Sequence, residues 1–297
     1  MKIFKALSSG CHRSLKAWKG VLIFWFISLC LVSMVALPMK GVMKTGFGQS
    51  AITEKLMHGL NIEVISDLGT LLKGLTGFFS SGLMILFLLW LLINAFVTGG
   101  LFNSLKSNEE KFNTGEFFKA SARNFLPFLG ITLIIGTILF VLASILIAVP
   151  MQGVTSSENP DESVPWLILI VSISFYILVS QIFVLVADYA RAWQVKNEKP
   201  DLFRALGFGF SRTFGRFLSS FPMMLIIWLI QTLFVLLVFK VIGTWKPASG
   251  IGVIGLFLLS QVLLYIRFLL KAWRYGSVTS LKEINDPLPV SGPANII

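Results

Sequence analysis

Polar side chains recur within the last three apolar stretches of this 297-residue chain. Such groups are costly to bury in a nonpolar environment, so each is expected to have a hydrogen-bond or ion-pair partner or to belong to a functional site. Asp188 and Arg267 carry charge toward the same end of their stretches, and we expect them to form an ion pair. The residues that could line a polar seam are Ser180, Gln181, Asp188, Arg191, Gln231, Gln261 and Arg267. Two interpretations stay open: hydrogen bonds that hold helices together, or a path for a small solute.

Residue patterns of known catalytic sites do not occur in the sequence. There is no HExxH, GxSxG or phosphate-loop pattern, and no carboxylate pair lies inside an apolar stretch. His12 and His58 fall on opposite sides of the first stretch, and Cys11 and Cys30 show neither disulfide nor zinc spacing. We therefore predict a protein that is not an enzyme and that carries no cofactor and no metal.

Six apolar stretches, each long enough to cross a bilayer, make up most of the chain. Charged residues are 13% of the sequence, against about 25% in soluble domains, and roughly 20 apolar residues suffice for a transmembrane helix. Backbone groups in hydrocarbon must bond within their own segment, so we expect helices. We predict an all-α integral membrane protein with one domain over residues 1–282. Its six spans are predicted at residues 18–38, 78–102, 125–150, 164–186, 217–242 and 251–273.

Lysine and arginine are concentrated in alternate connections between the spans. With the amino terminus on the inside, the whole net charge of +11 falls in the inside segments, as the positive-inside rule requires. Both termini are then cytoplasmic. Because this asymmetry accounts for the charge, we predict no nucleic acid partner. The largest outside segment, residues 50–76, has amphipathic helical periodicity, and residues 283–297 are expected to form a flexible cytoplasmic tail.

A short motif precedes three of the spans. Phe4-Lys5-Ala6-Leu7 and Phe203-Arg204-Ala205-Leu206 are each followed by an arginine nine residues after the phenylalanine. Phe118-Lys119-Ala120 precedes the third span in a copy that is one helical turn shorter. Each copy leads into two spans in the same direction. The motif therefore predicts three repeated units, each a basic aromatic helix on the cytoplasmic side followed by a transmembrane hairpin.

The basic side chains of these three lead helices are candidates for contact with lipid phosphate. A helix that combines aromatic residues with arginines on another face is typical of the membrane interface, where each cation near an anionic leaflet gains about 1 kcal/mol. The candidates are Lys5, Arg13, Lys119, Arg123, Arg204, Arg212 and Arg216. Simple anchoring of the topology and recognition of a particular anionic lipid both agree with this pattern.

These features together resemble a broad class of six-span bacterial inner-membrane proteins of unknown function. More distantly, they are similar to the membrane domain attached to some glycerophosphoryl diester phosphodiesterases. Besides the motifs at Phe118 and Phe203, the resemblance rests on Asp188-Tyr189-Ala190-Arg191 and Gly215-Arg216-Phe217, and it extends over residues 2–277. It implies a bacterial inner-membrane setting. The phosphodiesterase catalytic domain is absent, so nothing about catalysis follows from it.

Two functions remain as predictions from the sequence. The first is a non-enzymatic inner-membrane protein that interacts with membrane lipid, or that acts as a scaffold with a protein partner in an envelope assembly. The second is a permease or channel for a small solute through the polar seam. No acid lies at mid-depth in any span, which lowers the case for an ion-coupled carrier.

Overall fold

The computed structural model describes residues 2–47, 69–106, 112–155, 163–197, 201–245 and 249–285. Regular structure within these ranges is helical. A π-helical turn, Ser144–Ala148, follows the helix that ends at Ala143 and precedes the helix that begins at Val149. The α-helices in chain order are α1 (Lys2–Lys16), α2 (Trp18–Phe47), α3 (Gly69–Ser104), α4 (Thr114–Ala143), α5 (Val149–Thr155), α6 (Ser163–Lys196), α7 (Leu202–Gly215), α8 (Phe217–Thr244) and α9 (Gly250–Asn285).

Five segments of the described chain are long and apolar enough to cross a membrane. A sixth crossing results if α1 and α2, which meet at a bend of 66°, are taken as one. The prediction of an all-helical fold with several helices of membrane-spanning length is confirmed. These helices indicate a multi-pass membrane protein. The five segments are Gly82–Ser104, Thr114–Gln152, Pro165–Lys196, Phe217–Thr244 and Gly250–Asn285.

Two helices continue well past the predicted ends of their spans. Hydropathy predicted ends at residues 186 and 273, but α6 runs to Lys196 and α9 to Asn285. The extra turns hold polar residues that packing buries, which hydropathy does not detect. Residues 283–285, predicted to begin the flexible tail, belong to α9. The rest of that tail, and residues 50–68 of the predicted outside segment, lie outside the described residues.

Local sequence explains where the lead helices begin and break. Asn113 and Asp201 cap α4 and α7, and the side-chain oxygen of each accepts hydrogen bonds from backbone N–H groups of the first turn. α1 and α7 are separated from the following helices by one residue each, Ala17 and Arg216. The middle copy of the motif differs, because Phe118-Lys119-Ala120 lies in the first turns of the continuous helix α4. A separate lead helix therefore forms in two of the three copies.

The chain divides into two compact units, and the prediction of one domain over residues 1–282 stays a prediction. One unit holds residues 23–94, and the other holds residues 1–22 together with 95–297. In the smaller unit, the Ser28 hydroxyl donates to the carbonyl oxygen of Phe24 at 2.9 Å, and the rings of Phe87 and Trp90 stack at 6.4 Å. The larger unit contains all the side chains of the candidate site.

The buried residues of the larger unit are concentrated where the lead helices meet the ends of the long helices. We call this region the junction layer. Two apolar clusters form it, and α6 contributes to both. Leu185 and Tyr189 pack with α1, α8 and α9, whereas Val186 and Ala190 pack with α4 and α7. The layer consists of α1 and α7, the first turns of α4 and α8, and the last turns of α3, α6 and α9.

Candidate functional site

The two separate lead helices bury the same four positions. In α1 these are Ala6, Leu7, Gly10 and Ser14. In α7 they are the residues that the sequence motif aligns with these, 199 positions later: Ala205, Leu206, Gly209 and Thr213. The aligned sequences therefore present the same face to their neighbours, although they pack against different helices.

Glycine makes the contact between each lead helix and a long helix close. A Cβ atom at Gly10 would lie 2.7 Å from the Cα of Ser277 in α9, and one at Gly209 would overlap the carbonyl oxygen of Val186 in α6. A related contact joins α3 to α4, where a Cβ at Gly100 would lie 2.7 Å from the carbonyl oxygen of Phe117. Small residues are the usual means by which helices in membranes approach closely.

Near the carboxyl end of three long helices, a backbone carbonyl accepts a hydrogen bond from a basic side chain. In each case that side chain comes from another part of the junction layer. Arg13 donates to Leu105 after the end of α3 at 3.3 Å, and Arg216 donates to Asn285 at the end of α9 at 3.2 Å. The Lys282 ammonium donates to Ala192 in the last turns of α6 at 2.8 Å. A cation at a helix carboxyl end satisfies a free carbonyl and interacts favourably with the helix dipole.

A buried ionic cluster joins α6, α9 and α4. The Asp188 side chain is fully buried; its Oδ2 lies 2.8 Å from Nε of Arg274 and its Oδ1 lies 3.2 Å from Nη1 of Arg191. Arg191 also donates to the hydroxyl of Thr132 at 3.0 Å. One carboxylate thus holds two guanidinium groups in the junction layer, and the ion pairs compensate the cost of burying these charges.

The structure corrects the predicted partner of Asp188. Arg274, and not Arg267, forms the ion pair from α9, and the Arg267 side chain is exposed. The two arginines are seven residues apart, so they lie on one face of the helix, two turns apart. The sequence therefore predicted the correct face of α9 for the ion pair, but a position two turns too early along that helix.

The remaining residues of the predicted seam do not gather around Asp188. Gln231 donates to the carbonyl of Leu270 at 3.2 Å and so joins α8 to α9. The Ser180 hydroxyl donates to the carbonyl of Ile177 in its own helix at 2.7 Å. Gln181 and Gln261 are half-buried. These placements agree with hydrogen bonding within and between helices, the first of the two interpretations of the seam.

The seven candidate lipid contacts divide into two groups. Three of them are partly buried by contacts within the protein: Arg13 lies 2.6 Å from Glu283, Arg216 caps α9, and Arg212 lies 5.4 Å from the ring of Phe208. The other four side chains are exposed, although Lys119 and Arg204 lie 3.8 Å and 3.1 Å from Glu116 and Asp201. They are Lys5, Lys119, Arg123 and Arg204.

Large aromatic rings accompany these exposed cations on the lead helices. Phe4 on α1 is 72% exposed, and Phe203 on α7 is 77% exposed. Each ring directly precedes a basic residue, Lys5 or Arg204, that is exposed as well. The same helices turn small and aliphatic residues toward the junction layer. The outward face thus offers both apolar rings and positive charge.

A cleft of about 320 Å³ opens between the end of α1, the end of α3 and the start of α4. Three basic side chains line it: Arg13, Lys16 and Lys106. Burial and the nearby guanidinium of Arg123 lower the pKa of Lys106 below its ordinary value. The other lining residues are Ala17, Asn103, Ser104, Phe112, Asn113, Glu116 and Phe117. The polar walls and positive charge of this cleft were not predicted, because they come from elements about 90 residues apart in sequence.

No group of three or more His, Cys, Asp or Glu side chains within the described ranges is arranged to hold a metal ion. Comparisons with protein-family models, with curated proteins and with solved structures find no match to this chain.

Proposed function

We propose that this chain is a non-enzymatic multi-pass protein of the bacterial inner membrane that binds anionic lipid at its cytoplasmic face. The observation that carries the proposal is the outward face of α1 and α7, where exposed phenylalanines adjoin exposed basic residues. Rings of this kind insert at the boundary between headgroups and acyl chains, while cations next to them reach lipid phosphate.

The proposed orientation places the junction layer on the cytoplasmic side, with both termini there. The positive-inside distribution of lysine and arginine supports it. Three consecutive units, each with a lead segment and a hairpin, form the proposed architecture. The identical buried positions of α1 and α7 support equivalent roles for these two helices.

The bacterial inner-membrane setting rests on the resemblance to six-span proteins of that membrane. A scaffold role beside a protein partner in an envelope assembly belongs to the same proposal. The exposed cations and rings of the lead helices would hold such a scaffold at the lipid surface, independently of its partner.

Lipid retained on purification tests the binding proposal. The protein is extracted in mild detergent, and its copurified lipids are compared with those of the whole membrane by mass spectrometry. We expect enrichment of phosphatidylglycerol and cardiolipin over phosphatidylethanolamine. The double variant Lys5→Gln/Arg204→Gln should reduce that enrichment, whereas Lys240→Gln, an exposed lysine near the other end of α8, should not. Wild-type protein without any anionic enrichment would refute the proposal.

Labelling of Cys11 tests the orientation. This thiol is exposed on α1, so a membrane-impermeant maleimide reaches it only from the side on which α1 lies. In a Cys30→Ser background, inverted vesicles should be labelled and right-side-out vesicles should not. The opposite pattern would contradict a cytoplasmic amino terminus.

A further inference from the structure

We propose that the cleft between α1, α3 and α4 is a binding site for one phosphate-bearing headgroup of an anionic membrane lipid. The inference rests on the proposed lipid-binding function and assigns it a discrete site. The outward face of the lead helices is an open surface, whereas this cleft encloses a volume with defined walls.

The charge of the cleft selects an anion. Arg13, Lys16 and Lys106 line it, and Glu116 is the acid among its described lining residues. Glu116 itself lies 3.8 Å from Lys119, so its charge is shared with a lysine outside the cleft. Arg13 is held in place by Glu283 at 2.6 Å, which offsets its charge, and by the carbonyl of Leu105. Lys16 and Lys106 therefore supply the excess positive charge of the cleft, and two ammonium groups beside a fixed guanidinium are a suitable arrangement for phosphate oxygens.

The electrostatic state of Lys106 agrees with a bound anion. Its ammonium is disfavoured by burial and by the positive charge of Arg123, which together lower its pKa. A phosphate group beside it would act in the opposite direction and would favour the charged form. Anion binding would thus relieve a repulsion between positive charges that the protein otherwise retains.

The size and the walls of the cleft favour a headgroup over a lone inorganic ion. About 320 Å³ is at the lower end of the range of ligand pockets, about 300–1,000 Å³. Asn103, Ser104 and Asn113 supply polar groups for a glycerol moiety. The rings of Phe112 and Phe117, 5.9 Å apart, supply an apolar wall.

The position of the cleft is that of a lipid headgroup. Ser104 is the last residue of a helix long enough to cross the membrane, and the following such helix begins at Thr114. The cleft therefore lies at the ends of two spans, where phosphates of the adjacent leaflet are found. Basic pockets between span ends are a recurrent form of headgroup site.

Native mass spectrometry with added lipid tests the site. Full-length protein is titrated with phosphatidylglycerol, and with phosphatidylcholine as the zwitterionic comparison. We expect one phosphatidylglycerol to bind with saturation and with preference over phosphatidylcholine. Lys16→Gln/Lys106→Gln should weaken that first binding step about tenfold or more. Lys2→Gln/Lys240→Gln removes the same number of charges at exposed side chains outside the cleft and should change it less than twofold.

The outcomes separate the site from the function. If the cleft variant binds the first lipid as wild type does, while anionic enrichment persists, the cleft assignment is wrong and the proposed function stands. If wild type shows no preference for phosphatidylglycerol, both are wrong. Lys16→Glu, a change at an exposed side chain, provides a second test if the double variant does not fold, and unchanged binding there also overturns the assignment.

Soluble phosphates distinguish the source of the ligand. Glycerol 3-phosphate and inorganic phosphate, added in millimolar excess, are not expected to displace the bound phosphatidylglycerol, because they lack acyl chains. If glycerol 3-phosphate binds the cleft in a Lys16- and Lys106-dependent way while phosphatidylglycerol does not, the cleft is a site for a soluble phosphate ester and the lipid assignment is overturned.

Discussion

The two ends of α6 have opposite environments. From Leu185 to Ala192 every residue is buried in the junction layer, including Asp188 and Arg191. From Trp166 to Leu178, by contrast, the helix is apolar and largely exposed. α9 shows the same contrast, since Leu263 is its one buried residue from Gly250 to Lys271, whereas Tyr275 to Lys282 are all buried.

The contrast shows where helix association is specified. Lipid chains cover apolar side chains as well as another helix does, so hydrophobicity gives the spans little reason to pair. Close glycine contacts, ion pairs and capped helix ends supply that reason instead, and they are found together in the junction layer. In this protein the buried polar and small residues lie together with the two apolar clusters of the junction layer, and the apolar residues beyond that layer are largely exposed.

Among substitutions in the junction layer, removal of the buried carboxylate should cause the largest loss of stability. Asp188→Asn leaves Arg191 and Arg274 without their shared counter-ion, and we expect a loss of about 3–5 kcal/mol in stability. The loss is measured by denaturant titration in detergent micelles. A second change, Arg274→Gln, should recover part of it, whereas Arg267→Gln should not. Rescue by Arg267→Gln instead would contradict the observed pairing.

Substitution of two leucines in α6 allows a direct comparison of its buried and exposed parts. Leu185 is fully buried, and Leu178, two turns earlier on the same helix, is 45% exposed. Leu185→Ala should cost about 2–5 kcal/mol because it leaves a cavity, and Leu178→Ala should change stability by less than about 0.5 kcal/mol. The same titration measures both. Equal losses at the two positions would remove the distinction between core and lipid-facing surface.

Two glycines of α7 test the close packing of that helix. Gly209→Ala places a methyl group against the backbone of α6 and should cost about 1–3 kcal/mol. At Gly207 nothing lies within 4 Å of an added Cβ, so Gly207→Ala should be neutral or stabilising by up to about 1 kcal/mol. Thermal midpoints in detergent report both. Tolerance of Gly209→Ala would mean that α7 does not dock as described.

The ion pair between Arg13 and Glu283, at the edge of the junction layer, should contribute least to stability. The side chains of Arg13 and Glu283 are 16% and 34% exposed, and a double-mutant cycle should give a coupling of about 0.5–1 kcal/mol. Glu116 and Lys119, at 60% and 77% exposure, form the matched pair, whose coupling should be close to zero. High salt should weaken the first coupling. A larger coupling free energy for the exposed pair than for Arg13 and Glu283 would contradict this prediction.

The sequence predicted the helices well and their packing poorly. Long apolar runs identify spans because the bilayer imposes a length, and the motif at Phe4 and Phe203 correctly located two separate helices. The partner of Asp188 could not be read from the sequence, since pairing depends on how far one helix slides along another. The turns after residues 186 and 273 were missed for a related reason. Their polar residues become buried only through tertiary contacts, and a hydropathy profile contains no such contacts.

The cleft illustrates the same limit at the candidate site. Arg13 was a candidate for lipid contact as part of α1, but nothing in the sequence places it beside Lys106. That proximity follows from its hydrogen bond to Leu105, across 92 positions of the chain. Single lead helices were therefore recognisable from composition, whereas a site shared by three helices was not.

The contact between α1 and α9 has a consequence for the order of events during synthesis. Trp273 donates to the carbonyl of Leu7, and 266 positions separate the two residues. At about 5–20 residues per second, a ribosome needs roughly 15–50 s to reach the second after making the first. Throughout that interval the nascent α1 lacks α9, the helix that its Gly10 contacts closely. In the proposed lipid-binding function, the exposed Phe4 and Lys5 would hold α1 at the membrane surface until the last helix arrives, so the same residues would serve the unfinished chain and the finished protein.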